Sequence, residues 1–325
     1  MGKGFHYLQN VQNADGGWGY YAGKMSFSEP TCFAILALGD SELYKINIQK
    51  GLAWLTNQQL KDGGWKVSSN DDEASWVTSL AVIVLTMLGG TDKQVCPWHK
   101  TTRDLGASWL LKTHGHLLSG KKGLRLNTKA RGWPWLEGNS SWVEPTAYAL
   151  IALKIAMSQH NESPPLIKRD FSEISRRIQD AEGLLFDTMC EEGGWNYGNN
   201  CVLGVNLKPY LSTTALTLVA LQGCEGNKEA HKAIQQSLNY IKAFVNLEMS
   251  VLSIAWSIIC LDIYGEETAS LCTSLYSLQK DNGSWEDNAY LTALSLLALK
   301  TKEGSNPFKI KERKPGPYNL VFTKP

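Results

Sequence analysis

Gln12-Asn13-Ala14-Asp15-Gly16-Gly17-Trp18 stands near the start of the chain and returns as Gln59-Leu60-Lys61-Asp62-Gly63-Gly64-Trp65. A looser copy, Gln279-Lys280-Asp281-Asn282-Gly283-Ser284-Trp285, lies towards the other end. Arg131-Gly132-Trp133 and Glu192-Gly193-Gly194-Trp195 keep the glycine and tryptophan without the glutamine. Self-similarity of this kind marks stacked supersecondary units. The wide gap between Trp195 and Trp285 leaves room for one further unit that has lost its tryptophan.

The flanks of each copy also repeat. Thr31, Thr78 and Thr146 fall at the same distance after Trp18, Trp65 and Trp133, and each opens an apolar run. Ser212 to Leu221 and Leu291 to Leu299 are the later counterparts. Such runs are apolar on nearly every side, as buried helices are. Pro30 and Pro145 suit the first helical position, where a missing N–H costs nothing. The segments before each tryptophan mix charged and apolar residues at helical spacing: 48–60, 102–113, 171–189, 228–244 and 267–278.

The unit is therefore a wet helix, a Gly-Trp turn and a dry helix, the glycines supplying the positive φ of a sharp reversal. Six dry helices are expected, near 29–39, 75–89, 144–158, 211–223, 249–264 and 288–300. Five wet helices and a short piece at 4–11 accompany them. The dry helices are too apolar to face water, and neither end carries a polar capping helix. Closure into six inner and six outer helices is thus expected over an open solenoid. The predicted fold is an all-α, α6/α6 toroid over 1–305, followed by an extended tail, 306–325, on the barrel surface, with Phe308, Ile310, Leu320, Val321 and Phe322 as its anchors.

Composition narrows the function. The 325 residues are 43% hydrophobic and 19% charged, with 32 basic against 31 acidic side chains. That balance gives no electrostatic reason to expect a nucleic-acid partner. No stretch reaches the roughly 18–20 apolar residues that span a bilayer. The opening residues show no apolar signal core, and the seven scattered cysteines include no CxxC. Reduced thiols in a cytoplasmic protein are expected, with peripheral attachment to a membrane surface compatible with the composition. No Walker loop, Gly-x-Ser-x-Gly or dinucleotide fingerprint is present, so no cofactor is expected.

The Gln-x-x-Asp-Gly-Gly-Trp copies resemble the QW motifs of the squalene-hopene and oxidosqualene cyclases, whose α/α toroid also occurs in protein prenyltransferase β subunits. The resemblance implies a structural role for Gln12, Trp18, Gln59, Trp65, Gln279 and Trp285, and an isoprenoid or other apolar small molecule as ligand. The departures are equally specific. The chain has room for one barrel, and the cyclases' Asp-x-Asp-Asp acid is missing. The nearest string, Ser69-Asn70-Asp71-Asp72, reads as a solvated loop. The zinc-binding Asp-x-Cys of the prenyltransferases is missing too. Cys96, His99, His114 and His116 lie too far apart along a helix to share one ion, so no metal site is expected.

What remains is a rim. Glu29 and Glu144 stand in the same Glu-Pro-Thr sequence at two inner-helix starts, which share one mouth in a toroid. Each is either a helix-terminal carboxylate or an acid at the mouth of an apolar cavity. Phe27, Trp76, Trp142, Tyr148, Tyr210, Trp256 and Tyr290 are expected to line that cavity, where aromatic faces stabilise cations. The loop 196–201 could fold over the mouth. Three functions follow: an isoprenoid cyclase or prenyltransferase-like enzyme, a non-catalytic module binding a lipid, peptide or protein partner, and, third, a sugar-active toroid, for which no helix-start carboxylate pair can be assigned a separation from the sequence.

Overall fold

The computed structural model describes residues 1–39, 41–88, 97–116, 131–158 and 171–310. Six inner helices form its core: α2 (Ser28–Leu38), α4 (Val77–Leu88), α6 (Val143–Ser158), α8 (Leu211–Ala220), α10 (Val251–Ile263) and α12 (Ala289–Lys300). Each packs on the next, and α12 packs back on α2, so the ring closes. The outer helices are α1 (Gly2–Asn10), α3 (Lys45–Asn57), α5 (Pro97–Lys112), α7 (Phe171–Asp187), α9 (Lys228–Phe244) and α11 (Ala269–Ser277). The short N-terminal piece is thus the sixth outer helix, set against α12. The fold is an α6/α6 toroid.

The tryptophan turn explains the repeat. After an outer helix ends, the chain must reverse inside the protein, where each backbone N–H needs an acceptor. The N–H of Trp18, Trp65 and Trp133 donates to Oγ1 of Thr31, Thr78 and Thr146, at 2.9, 2.8 and 2.9 Å. Thr214 and Thr292 serve Trp195 and Trp285 likewise. The indole N–H of all five donates to a carbonyl of an outer helix: Leu8, Leu55, Leu110, Leu185 and Leu275. These five rings are at most 2% exposed.

The rest of the motif ties one unit to the next. Gln12 Nε2 donates to Gly16 O and to Asn47 O of α3, and Gln59 Nε2 to Gly63 O and Thr102 O of α5. Asp62 accepts from the N–H of Gly64 and from the indole of Trp109 on α5. Gly63 has φ +98°, and a Cβ there would stand 2.6 Å from the Leu105 carbonyl of α5. Gly106 on the same helix is the socket for the Trp65 ring, 2.6 Å from where its Cβ would lie. The unit without a tryptophan is α9–α10, joined by a 3₁₀ turn (Val245–Leu247). There Ser250 accepts from Ser253 N and caps α10.

Two details differ from the sequence expectation. Pro30 and Pro145 occupy the third position of α2 and α6. The reason is unchanged, because the first four N–H groups of a helix have no internal acceptor. The unit after Trp195 carries a two-stranded hairpin, β1 (Cys201–Val202) and β2 (Val205–Asn206), the one sheet among the described residues. The six described cysteines are free and buried, and Cys96 lies outside the described residues.

The described start of the tail is held against the barrel. Asn306 Nδ2 donates to Ile259 O and Asp262 Oδ2 at the end of α10, and Gln222 holds Phe308 O and Ile310 N. Phe308 is fully buried, with its ring against Phe33 and Trp256. Residues 311–325 lie outside the described residues.

Thr78→Val keeps the shape and strands the Trp65 N–H. Thermal unfolding is expected to show a loss of about 1–3 kcal/mol, and an unchanged melting point would refute the clasp. Phe308→Ala should cost about 3–5 kcal/mol, as for a large core side chain. A surface anchor would cost far less.

Candidate functional site

The rim where the inner helices begin is laced by backbone. The residue two after four of the five turn tryptophans offers its carbonyl to the start of the preceding inner helix. Tyr20 O accepts from Ala289 N, Val67 O from Ser28 N, Trp135 O from Trp76 N and Tyr197 O from Val143 N. Orphan N–H groups at four helix starts are satisfied in this way. The lacing sets the side chains at Tyr20, Trp135 and Tyr197 on the rim. Sequence reading passed over Tyr20 and Trp135. The signal was available, because Trp18, Trp133 and Trp195 are each followed two residues later by an aromatic.

Glu29 lies within this aromatic wall. It is largely enclosed by protein but keeps some solvent contact. The Tyr20 hydroxyl donates to its carboxylate in a short hydrogen bond. Burial pushes the Glu29 carboxyl up to about 7; the Tyr20 hydrogen bond works downward, and the charge of Glu144 adds to the rise. Glu144 is itself raised by burial, partly offset by a hydrogen bond from the Thr213 hydroxyl at 3.3 Å. The two carboxylates therefore share one mouth, and Glu29 feels the charge of Glu144. Glu29 does not cap its helix: Phe27 is the N-cap of α2 and makes no side-chain cap bond, and the Glu29 carboxylate is engaged by Tyr20.

The expected aromatics divide into three groups. Phe27 packs on Tyr20 at 5.3 Å, and Tyr20 meets Tyr290 edge-on at 6.3 Å. Trp76 sits between Trp135 and Tyr148, at 5.1 and 5.3 Å. These rings form the wall around Glu29 and its neighbours. Trp142 and Tyr210 stand on the outer lip, 40% and 50% exposed. Tyr210 stacks on Tyr197, and the Trp142 ring lies against Gly198, so the loop 196–201 does border the mouth.

Tyr148 and Trp256 correct the expectation of an open lumen. They are 4% and 1% exposed and approach each other at 6.2 Å. Phe33 meets Trp256 at 6.1 Å. Tyr148 is on α6, Trp256 on α10 and Phe33 on α2, and another inner helix stands between each pair. These contacts therefore cross the ring and fill it, with Phe308 packed on Phe33 and Trp256. The Tyr290 hydroxyl lies in hydrogen-bonding reach of Trp256 and Tyr148. The accessible part of the site is the mouth above this plug.

Other sequence candidates fall elsewhere. Asp71 accepts from the N–H and hydroxyl of Ser68 in a surface loop. Asp287 is exposed and pairs with Lys280. Among the described residues no three histidine, cysteine, aspartate or glutamate side chains are grouped as metal ligands would be. No described helix is long and apolar enough to cross a membrane.

The arrangement is similar to several solved structures. One is a novel alpha-amylase from Clostridium perfringens, at 12% identity over 92% of this chain and 97% of that one, with a TM-score of 0.64. Another is the type II terpene cyclase MstE from Scytonema, at 14% identity over 93% and 96%, with a TM-score of 0.60. A third is an alpha-1,6-mannanase of Salegentibacter, as an inactive variant with alpha-1,6-mannotriose, at 10% identity over 93% and 97% and a TM-score of 0.62. No protein-family model and no curated protein sequence matches the chain. At these identities the likeness establishes the fold: the chain is an α/α toroid, built as terpene cyclases and glycan-active enzymes alike are built.

The raised Glu29 carboxyl has a signed consequence. Its ordinary value is 4.5 and its folded value about 7, so the folded state holds the proton more tightly. The stability this contributes is full below pH 4.5 and is lost as pH rises through 7. Glu29→Gln should therefore unfold at a higher temperature than the parent at pH 8 and show no gain at pH 4. Parallel melting curves across that range would show an ordinary solvated carboxylate instead.

Proposed function

We propose that the protein handles an isoprenoid or other apolar small molecule at this mouth, in the manner of a terpene cyclase, with Glu29 as the acid. The observation that carries the reading is a carboxyl group with a value near 7 inside a wall of Tyr20, Phe27, Trp76, Tyr148 and Tyr290. About half of it is protonated at neutral pH. A protonated Glu29 can pass its proton to an alkene carbon. A C–H bond forms at the expense of the π bond and leaves a carbocation on the neighbouring carbon. The aromatic faces stabilise that cation, and the Tyr20 hydroxyl stabilises the carboxylate left behind. Loss of a proton from the ligand back to the Glu29 carboxylate restores an alkene.

A second reading has its own support. The ring is plugged by Phe33, Tyr148, Trp256 and Phe308, so a ligand sits at the mouth and is not swallowed whole. That favours a module that binds an apolar ligand with a polar head, the protonated Glu29 donating to the head and the lip residues Trp142, Tyr197 and Tyr210 covering the chain.

Farnesol and geranylgeraniol distinguish the two. Binding of either is expected to quench tryptophan emission, and incubation followed by mass spectrometry of extracted products reads turnover. For an enzyme, Glu29→Gln should lower turnover by at least about a hundredfold with little change in binding, and Glu144→Gln should cost activity more than stability. Binding without products supports the module, and absence of binding removes both readings.

A further inference from the structure

A pocket of about 410 Å³ lies on the outer ring, away from the mouth, between the end of α5 and the start of α7. Its walls include Lys112, His114, Arg131, Glu173, Arg176 and Arg177. Arg176 is neutralised, with Glu173 at 2.6 Å and Asp180 at 2.8 Å. The other three cations are not. Among the described residues no carboxylate lies within 4 Å of Lys112, Arg131 or Arg177.

Arg177 is the unusual member. It is 2% exposed, its guanidinium lies 3.9 Å over the Trp133 ring, and Nη2 donates to Thr113 O at 2.9 Å. The longer contact from Nη1 to Arg131 O is 3.4 Å. Its Nε is buried with no acceptor. Burial pushes the group down to about 10, with nearby Asp180 working upward and Arg176 downward, so it stays charged at neutral pH. Buried charges are ordinarily paired, because removing one from water without a counter-ion is costly. Here neutral carbonyls and an aromatic face hold the cation, and among the described residues no carboxylate forms an ion pair with it.

We propose that this pocket is an oxyanion site that takes a phosphate group, with Arg177 as the fixed cation at its floor and Arg131 and Lys112 as the ligand's outer clamps. Arginine's planar fork suits phosphate oxygens, and lysine adds a point charge. The pocket's volume is larger than one phosphate needs, so it fits a diphosphate or a phosphate ester with part of its organic group. The site stands independently of the mouth, since none of its residues belongs to that wall.

Isothermal titration calorimetry with sodium pyrophosphate and with inorganic phosphate, at low ionic strength, tests the site on the full chain. Pyrophosphate is expected to bind more tightly than phosphate. Lys112→Ala with Arg131→Ala should weaken it by about tenfold or more while the circular dichroism melt is unchanged. Glu173→Gln, which releases Arg176 from one of its partners, should tighten it. Arg177→Gln should abolish binding, and if that variant is destabilised the double variant still decides. Sedimentation with phosphatidylglycerol and phosphatidylcholine vesicles separates the sources. Selective retention on phosphatidylglycerol, lost in the double variant, assigns the phosphate to a lipid headgroup. Binding of free pyrophosphate assigns it to a soluble ligand. No binding of either, or binding that the double variant leaves intact, overturns the proposal.

Discussion

The structure depends on one buried N–H. At each tryptophan turn the chain must pass from an outer helix to an inner one inside the protein, and the tryptophan's amide then has no water to bond. A threonine on the first or second turn of the inner helix supplies the acceptor. The indole, sunk between the two layers, bonds the outer-helix backbone. One residue is thereby fixed to both helices of its unit. The preceding glycine lets the neighbouring outer helix approach the turn at backbone distance. From these contacts follow the pairing of helices, their spacing and the common direction of the inner ring.

Closure is then a matter of satisfying the two ends of that ring. At the mouth, carbonyls two residues after the tryptophans accept from inner-helix starts. At the far end long side chains do the same for exposed carbonyls. Lys154 Nζ donates to Ala220 O and Gln222 O, Tyr264 Oη to Leu218 O, and Lys300 Nζ to Ala37 O. Lysine near a helix C-terminus also meets the favourable end of the helix dipole. Lys154 is further held by Glu182 at 2.8 Å. The ring is thus laced above and below, with apolar packing between.

The same lacing makes the mouth unusual electrostatically. Helix starts favour negative charge, yet the aromatic wall removes water from the carboxylates there. For Glu29 burial outweighs the Tyr20 hydrogen bond, and the proton is retained to about pH 7. The outer pocket shows the opposite imbalance, a buried cation with carbonyls for company. In each place the chain leaves a charge incompletely answered, and a ligand of the right chemistry would complete it.

Much of this was legible in the sequence. The repeat, six dry helices against wetter ones and a missing tryptophan between Trp195 and Trp285 were enough to predict the closed toroid, because periodicity and burial are local properties of a helix. The structural role of Gln12, Gln59 and Gln279 and their tryptophans came from the resemblance of their motif to the QW motifs. Glu29 and Glu144 could be placed on one rim because both stand at inner-helix starts. Tyr20 as the partner of Glu29 could not, since their hydrogen bond depends on how far the post-tryptophan strand leans over α2. The filling of the lumen was equally hidden. Tyr148, Trp256 and Phe33 lie on alternate helices, and whether their rings meet or leave a cavity depends on the radius of the closed ring. Phe308 was legible as an apolar anchor of the tail, but not its depth, which follows from Gln222 and Asn306 holding its backbone at the end of the ring. The unanswered charge on Arg177 exists only once α5, α7 and Trp133 are brought together: sequence determined the helices and their wet and dry faces, and tertiary packing decided which charges were left without a partner.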